Sequence, residues 1–309
     1  MKTSMKTIIC IFLVLAIRFA CAQTYPPEHQ WTATLKAVDD TGQPVAGAKV
    51  FIDYSVYKEP ISGLTDTNGI FIATHRDATE DLGFRAEKNG YYPYLFEYVK
   101  GSYDVARWNP TQTIILKKKT NPIPMYAKKV NLGMPVFDKP AGFDLMMGDW
   151  IAPYGKGVNA DLMFTGHLEN NSEGDTDYKL TIAFPKNGDG IQEFSAPANY
   201  QGIIQGSELR SAQEAPADGY QAEWIQTSIR KPGKPIETSK NVNRNYYFRV
   251  HTKLDESGNV VSARYGKIYG DFMQFSYYLN PTPNDRNIEF DPKKNLMTNL
   301  KPNEGVSQP

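Results

Sequence analysis

The chain has 309 residues, 40% of them hydrophobic and 22% charged, the composition of a soluble globular protein and not of a disordered or membrane-embedded one. It is formally neutral, with 34 basic against 34 acidic residues, so no global field draws nucleic acid or an anionic membrane surface to it. Its 19 Tyr, 24 Gly and 21 Pro favour strands and turns over helices.

Residues 1–22 have the three parts of an export signal: a charged start at Lys2 and Lys6, an apolar run from Ile8 to Ile17, and the small-residue site Ala20-Cys21-Ala22 before Gln23. An apolar run of that length reaches about 15 Å as a helix, half of a bilayer core, so cleavage that leaves no transmembrane anchor is expected. Cys21 opens a second route, lipidation as in bacterial lipoproteins, although Arg18 stands where such sites usually carry an aliphatic residue. Either route gives an exported protein, periplasmic or extracellular. Cleavage after Ala22 removes Lys2, Lys6 and Arg18 and leaves 31 basic against 34 acidic residues. It also removes both cysteines, Cys10 and Cys21, and with them disulfides, thiol nucleophiles, zinc–thiolate sites and iron–sulfur clusters. No cofactor and no metal are expected.

From Trp31 to about residue 118 the sequence reads as about seven short strands with turn residues between them, the pattern of a small β-sandwich. Trp31 to Val38 alternates and meets Asp39-Asp40-Thr41-Gly42, and Lys49 to Val56 follows. Asp66-Thr67-Asn68-Gly69 turns into Ile70-Phe71-Ile72, and Leu82–Lys88, Tyr91–Val99 and Thr111–Leu116 complete the set. The residues Val38-Asp39-x-x-Gly42-x-Pro44-Val45-x-Gly47-Ala48-x-Val50, Thr65-Asp66-x-Asn68-Gly69-x-Phe71 and Gly90-Tyr91 resemble the carboxypeptidase regulatory-like domain over about residues 30–118. That resemblance implies a prealbumin- or immunoglobulin-like sandwich and says almost nothing of function. In the family the module often follows a zinc peptidase domain; here His29, His75, His167 and His251 have no metal-ligand spacing with Glu.

Lys117-Lys118-Lys119 and the proline-spaced stretch Pro122 to Pro135 predict a linker over 119–135 or a crossing segment. Residues 136–296 predict a second, larger antiparallel β domain, with alternation over Ala160–Leu168, Tyr178–Phe184, Tyr220–Ile229 and Tyr246–Leu254. The clearest unit is the hairpin Tyr246–Leu254, turn Asp255-Glu256-Ser257-Gly258, Asn259–Tyr269, with Phe272–Leu279 as third strand. Residues 297–309 predict a frayed tail. The stretch from Asn245-Tyr-Tyr-Phe-Arg-Val to Asn287-Ile-Glu-Phe-Asp-Pro-Lys-Lys-Asn-Leu296 resembles the C-terminal part of uncharacterised exported proteins of planctomycete- and verrucomicrobium-like bacteria, which implies architecture and export only.

Several constellations could carry chemistry. Trp150 and Tyr154 on the glycine-flexed segment 148–157 could stack on sugar rings while Asp149 accepts hydroxyl hydrogen bonds; the competing reading is a buried Trp that anchors a strand. Glu289 and Asp291 alternate with Ile288 and Phe290, so an extended strand puts both carboxylates on one face, as an acid/base pair, a cation site or a charged edge strand. Asn187-Gly188-Asp189-Gly190 and Glu173-Gly174-Asp175-Thr176-Asp177 have the oxygen density of calcium loops without the full spacing, and serve equally as hairpin turns. Arg249, His251 and Lys253, with Arg264 and Lys267 on the next strand and Tyr247, Tyr265 and Tyr269 among them, predict a mixed cationic and aromatic sheet face. Such a face is either simply solvated or open to an acidic polysaccharide or a nucleic-acid strand. No nucleophile elbow, phosphate-cradling loop or metal helix appears. The leading expectation is an exported, non-catalytic binding protein with polysaccharide as ligand and no nucleic acid. The alternatives are a structural module that binds an envelope protein, and a divergent polysaccharide hydrolase using Asp149, Glu289 or Asp291.

Overall fold

The computed structural model of the protein describes residues 28–55, 57–78, 81–100, 109–170, 174–197, 199–200 and 203–309, so the export signal and Cys21 lie outside the described residues. Every regular element among them is a strand. The first seven are β1 (His29–Val38), β2 (Lys49–Asp53), β3 (Ile61–Leu64), β4 (Ile70–Asp77), β5 (Asp81–Glu87), β6 (Tyr94–Lys100) and β7 (Thr111–Ile115). Then come β8 (Ile123–Asn131), β9 (Ala141–Asp144), β10 (Asp149–Trp150), β11 (Leu162–Asn170), β12 (Thr176–Ala183) and β13 (Gly190–Ser195). The two-residue strands β14 (Asn199–Tyr200), β15 (Ile203–Ile204) and β16 (Gly206–Ser207) precede β17 (Glu223–Arg230), β18 (Glu237–Thr238), β19 (Arg244–Leu254), β20 (Val260–Asp271), β21 (Gln274–Leu279) and β22 (Phe290–Asn295).

The first sandwich faces the sheet β4-β1-β7 with the sheet β16-β6-β5-β2-β3. Period-two alternation on β1 sends Trp31, Ala33, Leu35 and Ala37 inward, each fully buried, and leaves Thr32, Thr34 and Lys36 outside. Val50 and Ile52 of β2, Leu82 and Phe84 of β5 and Ile114 of β7 complete that core. The second sandwich sets β10-β9-β11-β12-β17-β18 against β13-β19-β20-β21-β8-β22. Phe143, Phe164, Leu180 and Ile182 from one sheet interlock there with Tyr246, Phe248, Ile268, Phe275 and Tyr277 from the other. The all-β architecture of a sandwich followed by a larger antiparallel sandwich is thus what the strand pattern predicts.

Three differences matter for the site. The stretch expected as a linker contains β8, which pairs with β21 on one side and with β22 on the other. Its alternation feeds two cores, Met125 and Ala127 on one face and Val130 on the other. Pro122 and Pro124 fall before and at the start of the strand, where a missing N–H costs least. The tail expected to fray is docked: Lys129 N donates to Glu304 O at 2.8 Å, the Lys128 ammonium pairs with Glu304 at 3.2 Å, and Val306 packs on the outer face of the sheet. That outer face is the third difference. Tyr247, Tyr265, Tyr269 and Lys267, expected on a solvated surface, are buried under residues of the 208–221 excursion, the Ile288–Phe290 segment and the tail.

The two sandwiches are bonded through backbone and side chains. β16 extends the first sandwich's sheet by pairing with β6, and Glu208 N donates to Pro93 O at 2.9 Å. The Glu289 carboxylate, 1% exposed, accepts from Tyr92 OH at 3.1 Å, Thr120 N at 3.0 Å and Asn121 N at 2.6 Å. Lys117 Nζ donates to Ser211 O at 2.7 Å.

Candidate functional site

The segment from Asp144 to Asp161 leaves β9, returns as β10 and closes a loop before β11. Three aspartates hold it. Asp144, 1% exposed, accepts from Met146 N and Met147 N through Oδ1 and from Val158 N and Asn159 N through Oδ2, all at 2.9 Å. Burial pushes this carboxyl up, but the four backbone donors, Asn159 N first, outweigh burial and hold it below the ordinary aspartate value. Asp149 accepts from Trp150 N and Lys156 N, both at 2.9 Å, which draws the ends of the 149–156 turn together. The turn closes only because Gly155 has no side chain: a Cβ there would lie 2.6 Å from Asp149 Oδ1 and closer still to Trp150 O. Asp161 Oδ2 accepts from Leu145 N at 2.9 Å and ties the base of the loop.

Trp150 wedges edge-on between Phe143 at 5.4 Å and Phe164 at 5.6 Å. It is partly buried against the core, so the strand-anchor reading and the loop reading describe the same residue. Its remaining surface, with Asp149, lines a groove of about 680 Å³. The groove is walled by β8 (Lys128, Lys129, Asn131), by the loop (Gly148 to Trp150, Lys156) and by the docked tail (Asn299, Lys301, Asn303, Glu304). Lys128 Nζ is held at its base, donating to Gly148 O at 2.8 Å and pairing with Glu304. Lys129, Lys156 and Lys301 are exposed, as are Asn131, Asn299 and Asn303. Each amide side chain offers two donors and an acceptor, the complement of a polyhydroxylated ligand.

The other expected site residues go elsewhere. Tyr154, 41% exposed, lines a different hollow with Ile151, Pro153 and Met163 and does not join Trp150. Arg249 donates to Gly188 O at 2.8 Å and Ala217 O at 3.1 Å and stacks on Tyr220, so it holds neighbouring loops. Glu289 is consumed by the three donors between the sandwiches. Asp291 accepts from its own Lys293 N at 3.0 Å and pairs with Lys294 at 3.1 Å. The two carboxylates therefore share no partner, and neither lines the groove with Asp149. His251 departs most from strand parity. It sits in the left-handed region at φ 57° where the register of β19 against β20 shifts, a bulge that rotates the ring off the expected face. Its Nε2 meets Asp161 Oδ1 at 2.6 Å and its Nδ1 meets Arg264 Nη1 at 2.8 Å. A guanidinium only donates, so Nδ1 accepts and Nε2 carries the hydrogen that it gives to Asp161. An arginine occupies the place a nucleophile would take in a hydrolytic triad. Asp189, in one of the oxygen-rich loops, accepts from Thr252 N at 2.8 Å and serves the same bulge. Among the described residues no group of three His, Cys, Asp or Glu side chains could hold a metal ion.

Sequence reading missed Asp144, Asp161, Lys128 and the tail. An aspartate at each end of a glycine-rich loop is a legible signal for a stapled loop, whereas the tail's position is set by the pairs of Glu304 with Lys128 and Lys129 of β8, far away along the chain.

No family model matches the chain, so the carboxypeptidase regulatory-like resemblance of residues 30–118 stands on its motifs alone, and no curated protein matches. Three solved structures illustrate what the chain is similar to. A DUF3823 family protein from Parabacteroides merdae is 10% identical, with 86% of this chain and 100% of that one covered and a TM-score of 0.22. A carbohydrate binding protein, so described provisionally, from Bacteroides uniformis is 11% identical, covering 82% and 98%, with a TM-score of 0.17. A shaft pilin from Lactobacillus rhamnosus GG is 10% identical, covering 79% and 93%, with a TM-score of 0.21.

Proposed function

We propose that the protein is an exported, non-catalytic carbohydrate-binding protein whose ligand seats in the groove beside Trp150. The groove itself carries this reading: an aromatic edge at Trp150, three exposed amides at Asn131, Asn299 and Asn303, and a loop held rigid by Asp144, Asp149 and Asp161 before any ligand arrives. A rigid wall spares the ligand the cost of ordering it. Of the carboxylates named for a hydrolase only Asp149 lines the groove, engaged by two backbone donors, while Glu289 is sealed between the sandwiches.

The test is binding of the purified protein to a panel of soluble and insoluble polysaccharides. Trp150→Ala is the paired control and Asn131→Ala/Asn303→Ala the second variant, because truncating Trp150 also removes a wedge from the core. Binding that falls at least tenfold in the double asparagine variant, with its melting temperature unchanged, supports the groove. Binding unaltered in both variants moves the ligand elsewhere, and no binding to any polysaccharide rejects the reading. A second reading rests on Leu64, Ile72 and Ile115 of the first sandwich, 65%, 59% and 48% exposed. These apolar side chains on β3, β4 and β7 suit contact with an envelope protein, which absence of all glycan binding would bring forward.

A further inference from the structure

The groove is cationic in a protein that is not. Four lysines line it, Lys128, Lys129, Lys156 and Lys301, against the two carboxylates Asp149 and Glu304, whereas the whole chain is neutral. The lysines come from three separate parts of the fold, the strand β8, the 149–156 turn and the tail, so no single local charge run produces the excess. The two carboxylates are already committed. Asp149 is spent on Trp150 N and Lys156 N, and Glu304 on Lys301 N at 3.0 Å and on Lys128 Nζ. The ammonium groups of Lys129, Lys156 and Lys301, on exposed residues, have no carboxylate within salt-bridge distance among the described residues. Glu304 also shows what this wall accepts. A carboxylate rests there between an ammonium and a backbone N–H, and those donors outweigh burial to hold it below the ordinary glutamate value.

We propose that the groove selects acidic polysaccharides, chains of uronic acid units whose carboxylates meet Lys156 and Lys301 while a ring face rests on Trp150. This rests on the carbohydrate reading and goes further by naming the charge class of the ligand. Neutral hydroxyls would be served by the asparagines alone and would leave the exposed ammonium groups of the groove without a counter-charge, which an anionic chain supplies. A ring face on Trp150 separates this from a simple ion-exchange surface, because aromatic stacking requires an apolar ring face.

The experiment compares matched polymers on the purified protein: polygalacturonate and alginate against neutral galactan and xylan, with single-stranded DNA as a polyanion without sugar-ring faces exposed along its length. The expected result is binding of a uronate polymer at least tenfold tighter than its neutral counterpart, with affinity falling as salt rises. Lys156→Gln and Lys301→Gln, both on exposed positions, should each lower uronate affinity about threefold to tenfold, flatten the salt dependence and leave the melting temperature unchanged. Neutral-polymer binding that is equal or tighter, insensitive to salt and to both lysine variants, overturns the acidic class while the carbohydrate reading survives. Equal binding of DNA and uronate polymers also overturns it, since the groove would then read charge alone. No binding to any polymer rejects both readings together.

Discussion

Asp144 gives four backbone N–H groups their acceptor from a single buried carboxylate, a concentration that makes one residue answerable for a whole loop. Asp144→Ala leaves those donors without their partner and should cost about 3 kcal/mol or more, read from urea denaturation. Because its carboxyl is held below the ordinary value of 3.8, the stability it contributes is present above that value and is lost as pH falls through the lower folded value. The gap between the native protein and Asp144→Ala should therefore be constant from pH 7 to about 5 and shrink in stronger acid. Lys267 behaves in the opposite sense. It is 0% exposed, with Nζ 5.0 Å from the Tyr278 ring, 5.1 Å from the Tyr269 ring and 3.3 Å from Ser211 Oγ. Burial pushes its amine well below the ordinary lysine value, and the Glu289 charge opposes this without reversing it. The unfolded chain then binds a proton that the folded chain resists, so this residue costs stability below pH 10.5 and the cost fades as pH rises towards that value. Lys267→Met, similar in length and apolar, should stabilise the protein by about 1–3 kcal/mol at pH 7 and by less at pH 10. Thermal melts of the two proteins at both pH values would show it, and a less stable Met variant at pH 7 would mean that the ring contacts outweigh burial.

At the scale of elements, one turn is used three times. Asp39-x-x-Gly42, Asp66-x-x-Gly69 and Asp255-x-x-Gly258 each place the aspartate Oδ1 on the backbone N–H groups two and four residues later. The glycines take φ of 81°, 74° and 83°, the left-handed region in which an L side chain is strained. Their surroundings differ. Nothing lies within 4 Å of a Cβ on Gly42 or Gly258, whereas a Cβ on Gly69 would strike Ala37 O and lie 3.1 Å from Val45 N. Gly42→Ala and Gly258→Ala should each cost about 1 kcal/mol from backbone conformation alone, and Gly69→Ala clearly more, because backbone must also move. Equal losses at all three positions in equilibrium denaturation would show that the β3–β4 turn yields more easily than its packing implies. The β19 bulge teaches a different lesson about elements. Alternation along Tyr246–Leu254 is sound up to Val250, then one extra residue reverses the face on which His251 is found and delivers its ring to Asp161 and Arg264.

Across the whole molecule, buried Glu289 sits at the junction of the two sandwiches, accepting from Tyr92 of the first and from Thr120 N and Asn121 N just beyond it. Glu289→Ala should cost about 3 kcal/mol and, more specifically, should speed amide exchange at Thr120 and Asn121 before it does so in the core strands of the second sandwich. Uniformly faster exchange throughout would show that the two sandwiches unfold as one unit. The division at about residue 118, with a first module over 30–118 and a second beginning near 119 and including β8 and the tail, is the one we propose. The all-β class, most strand positions and the Asp-x-x-Gly turns are legible along the chain, because each depends on period-two burial or on partners within a few residues. The covering of Tyr247, Tyr265, Tyr269 and Lys267, the interior place of Glu289, the membership of β8 in a sheet and the tail's part in walling the groove are visible in the fold alone. Those outcomes depend on residues brought together from far apart along the chain, and alternation says which side chains share a face without saying what, if anything, comes to lie on it.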